Sequence, residues 1–78
     1  MRVLFFAQLK DLTGCAELTL GSDGIDTNEL WRQLVAAHPN LAPFRRSTRL
    51  ARNLEYLGPE ARFHAGDEVA LIPPVSGG

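Results

Sequence analysis

Residues 26–39 carry the strongest local signal in the chain, and it specifies one helix. Asp26 is a good cap, because its carboxylate can accept from the free N–H groups of a first turn, and Glu29 stands three residues on. Ile25, just before the cap, is placed to meet Leu30 in a hydrophobic staple. Leu30, Trp31, Leu34, Val35 and His38 then recur at helical spacing. Pro39 stops the run, since it lacks an N–H and crowds the preceding turn. The pattern predicts an amphipathic helix of about three turns, with Trp31 packed at its edge. A single apolar stripe must be buried against another layer, and most of the remaining chain is written for strands.

Residues 3–7 are rich in branched and aromatic side chains, the composition of a short strand. Residues 8–13 suit a helical turn with Gly14 as its left-handed stop. Residues 17–20 predict a second strand, followed by the turn cluster Gly21-Ser22-Asp23-Gly24. Residues 50–53 predict a third, and Tyr56-Leu57 before Gly58-Pro59 a short strand and turn. Residues 68–72 form the last, entered through Gly66-Asp67 and ended by Pro73. A helix joining strands of one sheet is a crossover, which lets the first and last strands lie parallel and adjacent. The order therefore predicts a two-layer α+β domain of the β-grasp type: a mixed sheet with one main helix packed on one face. The expected division is a domain over residues 1–72 and an extended tail over residues 73–78.

Strand alternation refines the picture. If Val3 and Phe5 face the helix, then Leu4 and Phe6 face away. Val69 and Leu71 then point inward, and Ala70 and Ile72 outward. The far face of the sheet would carry Leu4, Phe6, Ile72 and Tyr56 beside the root of the tail. A contiguous apolar patch on a small protein reads as a docking surface. The alternative is that the loop over residues 40–49 folds across it.

The tail itself is the chief functional signal. Pro73 and Pro74 hold fixed φ values and bias Ile72 and Pro73 toward extended backbone, so the segment is expected to project. Val75 and Ser76 follow, then Gly77 and Gly78. Two glycines make the narrowest polypeptide available, able to thread a channel in another protein and present the Gly78 carboxyl unhindered.

Composition narrows the field. The chain has 78 residues, 45% of them apolar, which supports one core but no deep pocket of its own. A net charge of -1 gives no basis for nucleic acid as the main partner. Arg45, Arg46, Arg49 and Arg52 are a local exception, read as a solvated face ahead of an interaction patch. Cys15 is the single cysteine, which excludes an internal disulfide and any metal site built on several thiolates. It is expected as a buried or half-buried small side chain, not a nucleophile. His38 and His64 have no partner at ligand or triad spacing. The apolar run at residues 3–7 is too short for a signal peptide or membrane span, so a cytoplasmic location is expected.

At this point the residues carry a resemblance. Residues 3–7, Leu12-Thr13-Gly14, Leu30-Trp31, His38-Pro39 and above all Gly66-Asp67-Glu68-Val69 with Pro73-Pro74-Val75-Ser76-Gly77-Gly78 resemble the small-subunit family of molybdopterin synthase, ubiquitin-like sulfur carriers. The resemblance spans essentially the whole chain and implies the β-grasp fold. It implies that Gly78 is adenylated by a ubiquitin-activating-like adenylyltransferase that uses ATP and Mg²⁺, then converted to a thiocarboxylate with sulfur from a donor protein. The tail would enter the large subunit and give its sulfur to cyclic pyranopterin monophosphate, in a heterotetramer of two small and two large subunits. Phe6, Tyr56, Ile72 and Val75 are implied as partner contacts. The chain would be the sulfur-donating subunit of a sulfurtransferase, not catalytic on its own, with no cofactor or metal of its own. Family members often carry Ala-Val-Asn where this chain has Ala51-Arg52-Asn53; an arginine there implies an exposed strand position or an altered partner contact.

Nothing in the chain could cradle ATP, since it has no phosphate-binding glycine loop. Three alternatives stay open: a carrier for thiazole or thioamino-acid synthesis, a modifier that joins Gly78 to lysines, and a non-catalytic β-grasp interaction module.

Overall fold

The computed structural model describes residues 1–52, 55–58 and 60–73. The sequence expectations at Asn53, at Pro59 and along the tail at Pro74, Val75, Ser76, Gly77 and Gly78 lie outside these residues. The chain forms β1 (Arg2–Phe5), α1 (Ala7–Thr13), β2 (Glu17–Thr19), β3 (Ile25–Asp26), α2 (Thr27–Ala37), a 3-10 helix (Pro39–Phe44), β4 (Arg49–Arg52), β5 (Glu55–Tyr56), β6 (Arg62–Phe63) and β7 (Glu68–Ile72). Among the described residues the main sheet has the order β2-β1-β7-β4-β5, and β3 pairs with β6 in a separate two-stranded ribbon. β1 and β7 are parallel, with Val3 opposite Val69 and Phe5 opposite Leu71. The remaining neighbours are antiparallel. This is the expected β-grasp: a mixed sheet, α2 as the crossover, and β7 in the centre.

The alternation holds across the central strands. Val3, Phe5, Val69 and Leu71 are buried at 2% exposure or less and meet Leu30, Trp31 and Leu34 of α2. Leu9, Leu41 and Phe63 close the core from α1, the 3-10 helix and β6.

α2 begins as its sequence predicts. The Glu29 N–H donates to Asp26 Oδ1 at 2.8 Å. The reciprocal half of a capping box does not form, because the Glu29 carboxylate accepts instead from Arg32 and Gln33. Those two bonds, Gln33 first, hold Glu29 below the ordinary carboxylate range. Replacing Asp26 by Ala is expected to lower stability by about 1 kcal/mol, with Asp26→Asn retaining most of it. The midpoint of urea unfolding checks this.

Several expectations are corrected. The first strand ends at Phe5, not Ala7, because Ala7 takes φ 49° and turns the chain off the sheet so that α1 can bury Leu9. α1 then ends at Gly14, whose φ of 74° lets its N–H reach Lys10 O at 2.9 Å. Trp31 is not at an edge. It is 2% exposed, since the 3-10 helix packs against α2 and α1 and closes the helical layer with Leu41. That same packing places residues 39–44 on the helix side, not across the far face of the sheet.

Candidate functional site

The uncovered face of the sheet is a row of residues fixed by strand register. Leu4 lies opposite Ala70, Ala70 opposite Ala51, and Ala51 opposite Tyr56, so one line of side chains crosses four strands. The two alanines at the middle are small, Ala51 buried at 5% exposure and Ala70 half-buried, so the row forms a shallow trough between the larger side chains of Leu4 and Tyr56. Phe6 follows β1 on this face, and Ile72 stands opposite Arg49 at the end of β7. Phe6 is 46% exposed and Tyr56 62%, the open large apolar side chains among the described residues. Leu4, Ala70, Ile72 and Pro73 are half-buried. The structure therefore brings Phe6, Tyr56 and Ile72 to one face, with Pro73 leaving it.

The other end of that face is charged. Arg2 bridges Glu17 at 2.8 Å and Glu68 at 3.2 Å, both solvated pairs of small energetic weight. Arg49 lies over the Tyr56 ring, 5.1 Å from its centroid, so the exposed aromatic is held in place by a cation–π contact.

Arg52 answers differently from either sequence expectation. Its register partner is Val69, so it belongs to the helix-side face and not to the trough. Its guanidinium lies 6.0 Å from the Phe63 ring centroid, donates to Arg62 O and pairs with Asp67 at 3.3 Å. Asp67 also accepts the His64 N–H at 2.8 Å, and its own carbonyl accepts from Arg2 N–H at 2.9 Å. The residue that opens β7 is thus tied from three directions.

The His64 N–H, and Arg52 after it, hold Asp67 below the ordinary carboxylate range, against the opposing effect of partial burial. A depressed folded-state value contributes stability that is present above the unfolded value, about pH 4, and is lost as pH falls through the folded one. In acid titrations of unfolding, Asp67→Asn is expected to remove that part of the slope below about pH 4. An unchanged slope would show that Asp67 does not couple to folding.

Sequence reasoning found no partner for either histidine. In the fold His38 Nε2 is 3.7 Å from Cys15 Sγ and its ring meets Phe5 edge-on, while His64 Nδ1 is 3.5 Å from Asp23. Both partners are far away in sequence. Cys15 is half-buried, as expected. Among the described residues no group of three or more His, Cys, Asp or Glu side chains is placed to hold a metal, and no helix is long and apolar enough to cross a membrane.

Comparison with known proteins supplies the context for this face. The ThiS family model matches residues 3–78. The molybdopterin synthase sulfur carrier subunit of Chlamydomonas reinhardtii is 41% identical, over 100% of this chain and 98% of that one. The crystal structure of SAMP1, a small archaeal modifier protein from Haloferax volcanii, superposes with a TM-score of 0.81 at 30% identity, covering 100% and 98% of the two chains. Subunit 1 in the complex of subunits 1 and 2 of the molybdopterin-converting factor from Helicobacter pylori shares the fold, with a TM-score of 0.70, 24% identity and coverage of 99% and 96%. With the family model spanning nearly all of its length, and a β-grasp body in common with these proteins, the chain belongs to the ThiS family.

Proposed function

We propose that this chain is the sulfur-carrying small subunit of a molybdopterin synthase, with residues 1–72 as its body and residues 73–78 as its working tail. The observation that carries the proposal is the position of β7. It is bonded on both sides, to β1 and β4, and leads into Pro73 beside an uncovered face bearing Phe6, Tyr56 and Ile72. Full-length similarity to molybdopterin synthase sulfur carrier subunits supports the choice of pathway.

In this mechanism the Gly78 carboxylate attacks the α-phosphate of ATP on an activating enzyme and releases pyrophosphate. Activation is needed because a carboxylate is a poor electrophile. The terminal sulfur of a donor-protein persulfide then displaces AMP to form an acyl disulfide. A thiol attacks the donor's sulfur and breaks the S–S bond, leaving a thiocarboxylate on Gly78 and a disulfide on the donor. The trough receives the large subunit, and the tail enters that subunit's site to give up its sulfur to the pterin precursor. Holding the thiocarboxylate at one position makes its attack effectively intramolecular. ATP, Mg²⁺ and general acid–base groups come from the partners.

Intact mass after incubation with an activating enzyme, ATP and a sulfur donor tests this. The expected gain equals replacement of one oxygen by sulfur, and the loaded chain should convert the precursor when the large subunit is added. An unchanged mass with a demonstrably active enzyme would sink the mechanism. The likeness to a small archaeal modifier protein favours a second reading, ligation of Gly78 to lysines. Isopeptide-linked conjugates, with no conversion of the precursor, would select it.

A further inference from the structure

Of the seven arginines, Arg62 donates to Gly24 O, and the other six divide into two groups. Arg2, Arg32 and Arg52 each pair with a carboxylate within 3.3 Å. Arg45, Arg46 and Arg49 make no ion pair among the described residues, yet they line one open groove of about 380 Å³. Three of the eight Lys and Arg residues thus surround a groove that no carboxylate lines, in a chain whose net charge is -1. Arg45 donates to Asn28 Oδ1 and Arg49 lies over Tyr56, which leaves further N–H groups of both available.

Thr27 and Thr48 contribute to the floor of the same groove, and the Oγ1 of each is buried beneath it without a hydrogen-bond partner among the described residues. Thr48 is only 9% exposed. A buried hydroxyl left unpaired is unfavourable by about 1–3 kcal/mol, so such groups ordinarily have a partner. Clustered guanidinium groups are the chemistry that recognises an oxyanion.

The groove is continuous with the trough described above. Tyr56 borders both, and Arg49, its cation–π partner, faces Ile72 at the root of the tail. An open groove at the rim of a docking face suits a side chain delivered by a large partner.

We propose that this groove receives an aspartate or glutamate side chain from the large subunit as it settles on the sheet face, with Arg45, Arg46 and Arg49 neutralising it. This rests on the function proposed above. The contact sets orientation and salt dependence, while the apolar trough supplies most of the contact area.

The test is calorimetric binding of the full chain to the large subunit at low and moderate salt, for wild type, Arg46→Glu, Arg46→Gln and Thr48→Val. Arg46 makes no hydrogen bond or ion pair among the described residues, so its variants should fold normally. Arg46→Glu is expected to weaken binding about tenfold at low salt and to flatten its salt dependence, with Arg46→Gln falling between it and wild type. Thr48→Val should leave the melting temperature of the free chain unchanged or raised, because the lost hydroxyl had no partner among the described residues, and should leave the affinity unchanged because that hydroxyl does not reach the groove. Wild-type affinity in both Arg46 variants would overturn the groove proposal and leave the carrier function standing. Absence of binding by wild type would overturn both. As a separate arm, inorganic phosphate is titrated into the free chain and followed by NMR. Tight saturable binding at Arg45, Arg46 and Arg49 would identify a site for a free oxyanion and overturn docking; weak, non-saturating shifts are expected.

Discussion

Removing Gly78 is expected to reduce sulfur loading at least about a hundredfold while leaving thermal stability unchanged. The shortened chain still ends in a glycine, Gly77, so neither bulk nor carboxylate chemistry is altered. What changes is reach: one extended residue spans about 3.5 Å. A body seated on the activating enzyme by its sheet face would then hold its carboxyl carbon that far from the adenylating site. Displacements of about 1 Å are enough to lose two orders of magnitude. Timed intact-mass measurements on wild type and the deletion decide the matter. Equal loading rates would mean that the tail does not act as a ruler set by the docked body. Appending one residue after Gly78 should also abolish loading, while binding through Phe6 and Tyr56 persists.

Phe63→Ala is expected to remove about 3–5 kcal/mol of folding stability. Phe63 is fully buried, and among the described residues its strand β6 pairs with the two residues of β3 alone. Its ring also lies under the guanidinium that reaches Asp67, so the cavity would loosen the entry to β7 as well. A domain of this size has a total stability of about 4–12 kcal/mol, so the variant should lose a large share of it. Urea unfolding measures it directly. A midpoint shift equivalent to less than about 1 kcal/mol would contradict the packing described around β6.

Phe63 also marks where the sequence stops being readable. The elements announced by local chemistry were legible: the Asp26 cap, the Leu30–Leu34 spacing, the left-handed Gly14, and the alternation of Val69 and Leu71. Each signal lies within a few residues of what it controls. The β3–β6 ribbon has two residues per strand, too short for a periodic pattern, and it joins Ile25 to Phe63 across 38 positions. Arg52 looked like a surface residue because its partners come from the loop before β7. The depth of Trp31 was hidden for a related reason, since helical spacing gives the direction of a side chain but not what covers it.

The functional face divides in the same way. Phe6, Tyr56 and Ile72 could be assigned to one side from alternation. The arginine groove could not. It is assembled from residues 27–31, 45–50 and 56–58, and nothing in the Arg45-Arg46 pair signals that two unpartnered threonine hydroxyls will lie beneath it.

The central seat of β7 bears on what happens when a docked tail is withdrawn. A pull on the chain beyond Ile72 acts along the strand, and its hydrogen bonds to β1 and β4 run across that direction. They are loaded in shear, all at once, where an edge hairpin pulled from its turn would peel one bond at a time. If the tail is withdrawn from a partner as proposed above, the body would therefore not unravel from the end that carries the load.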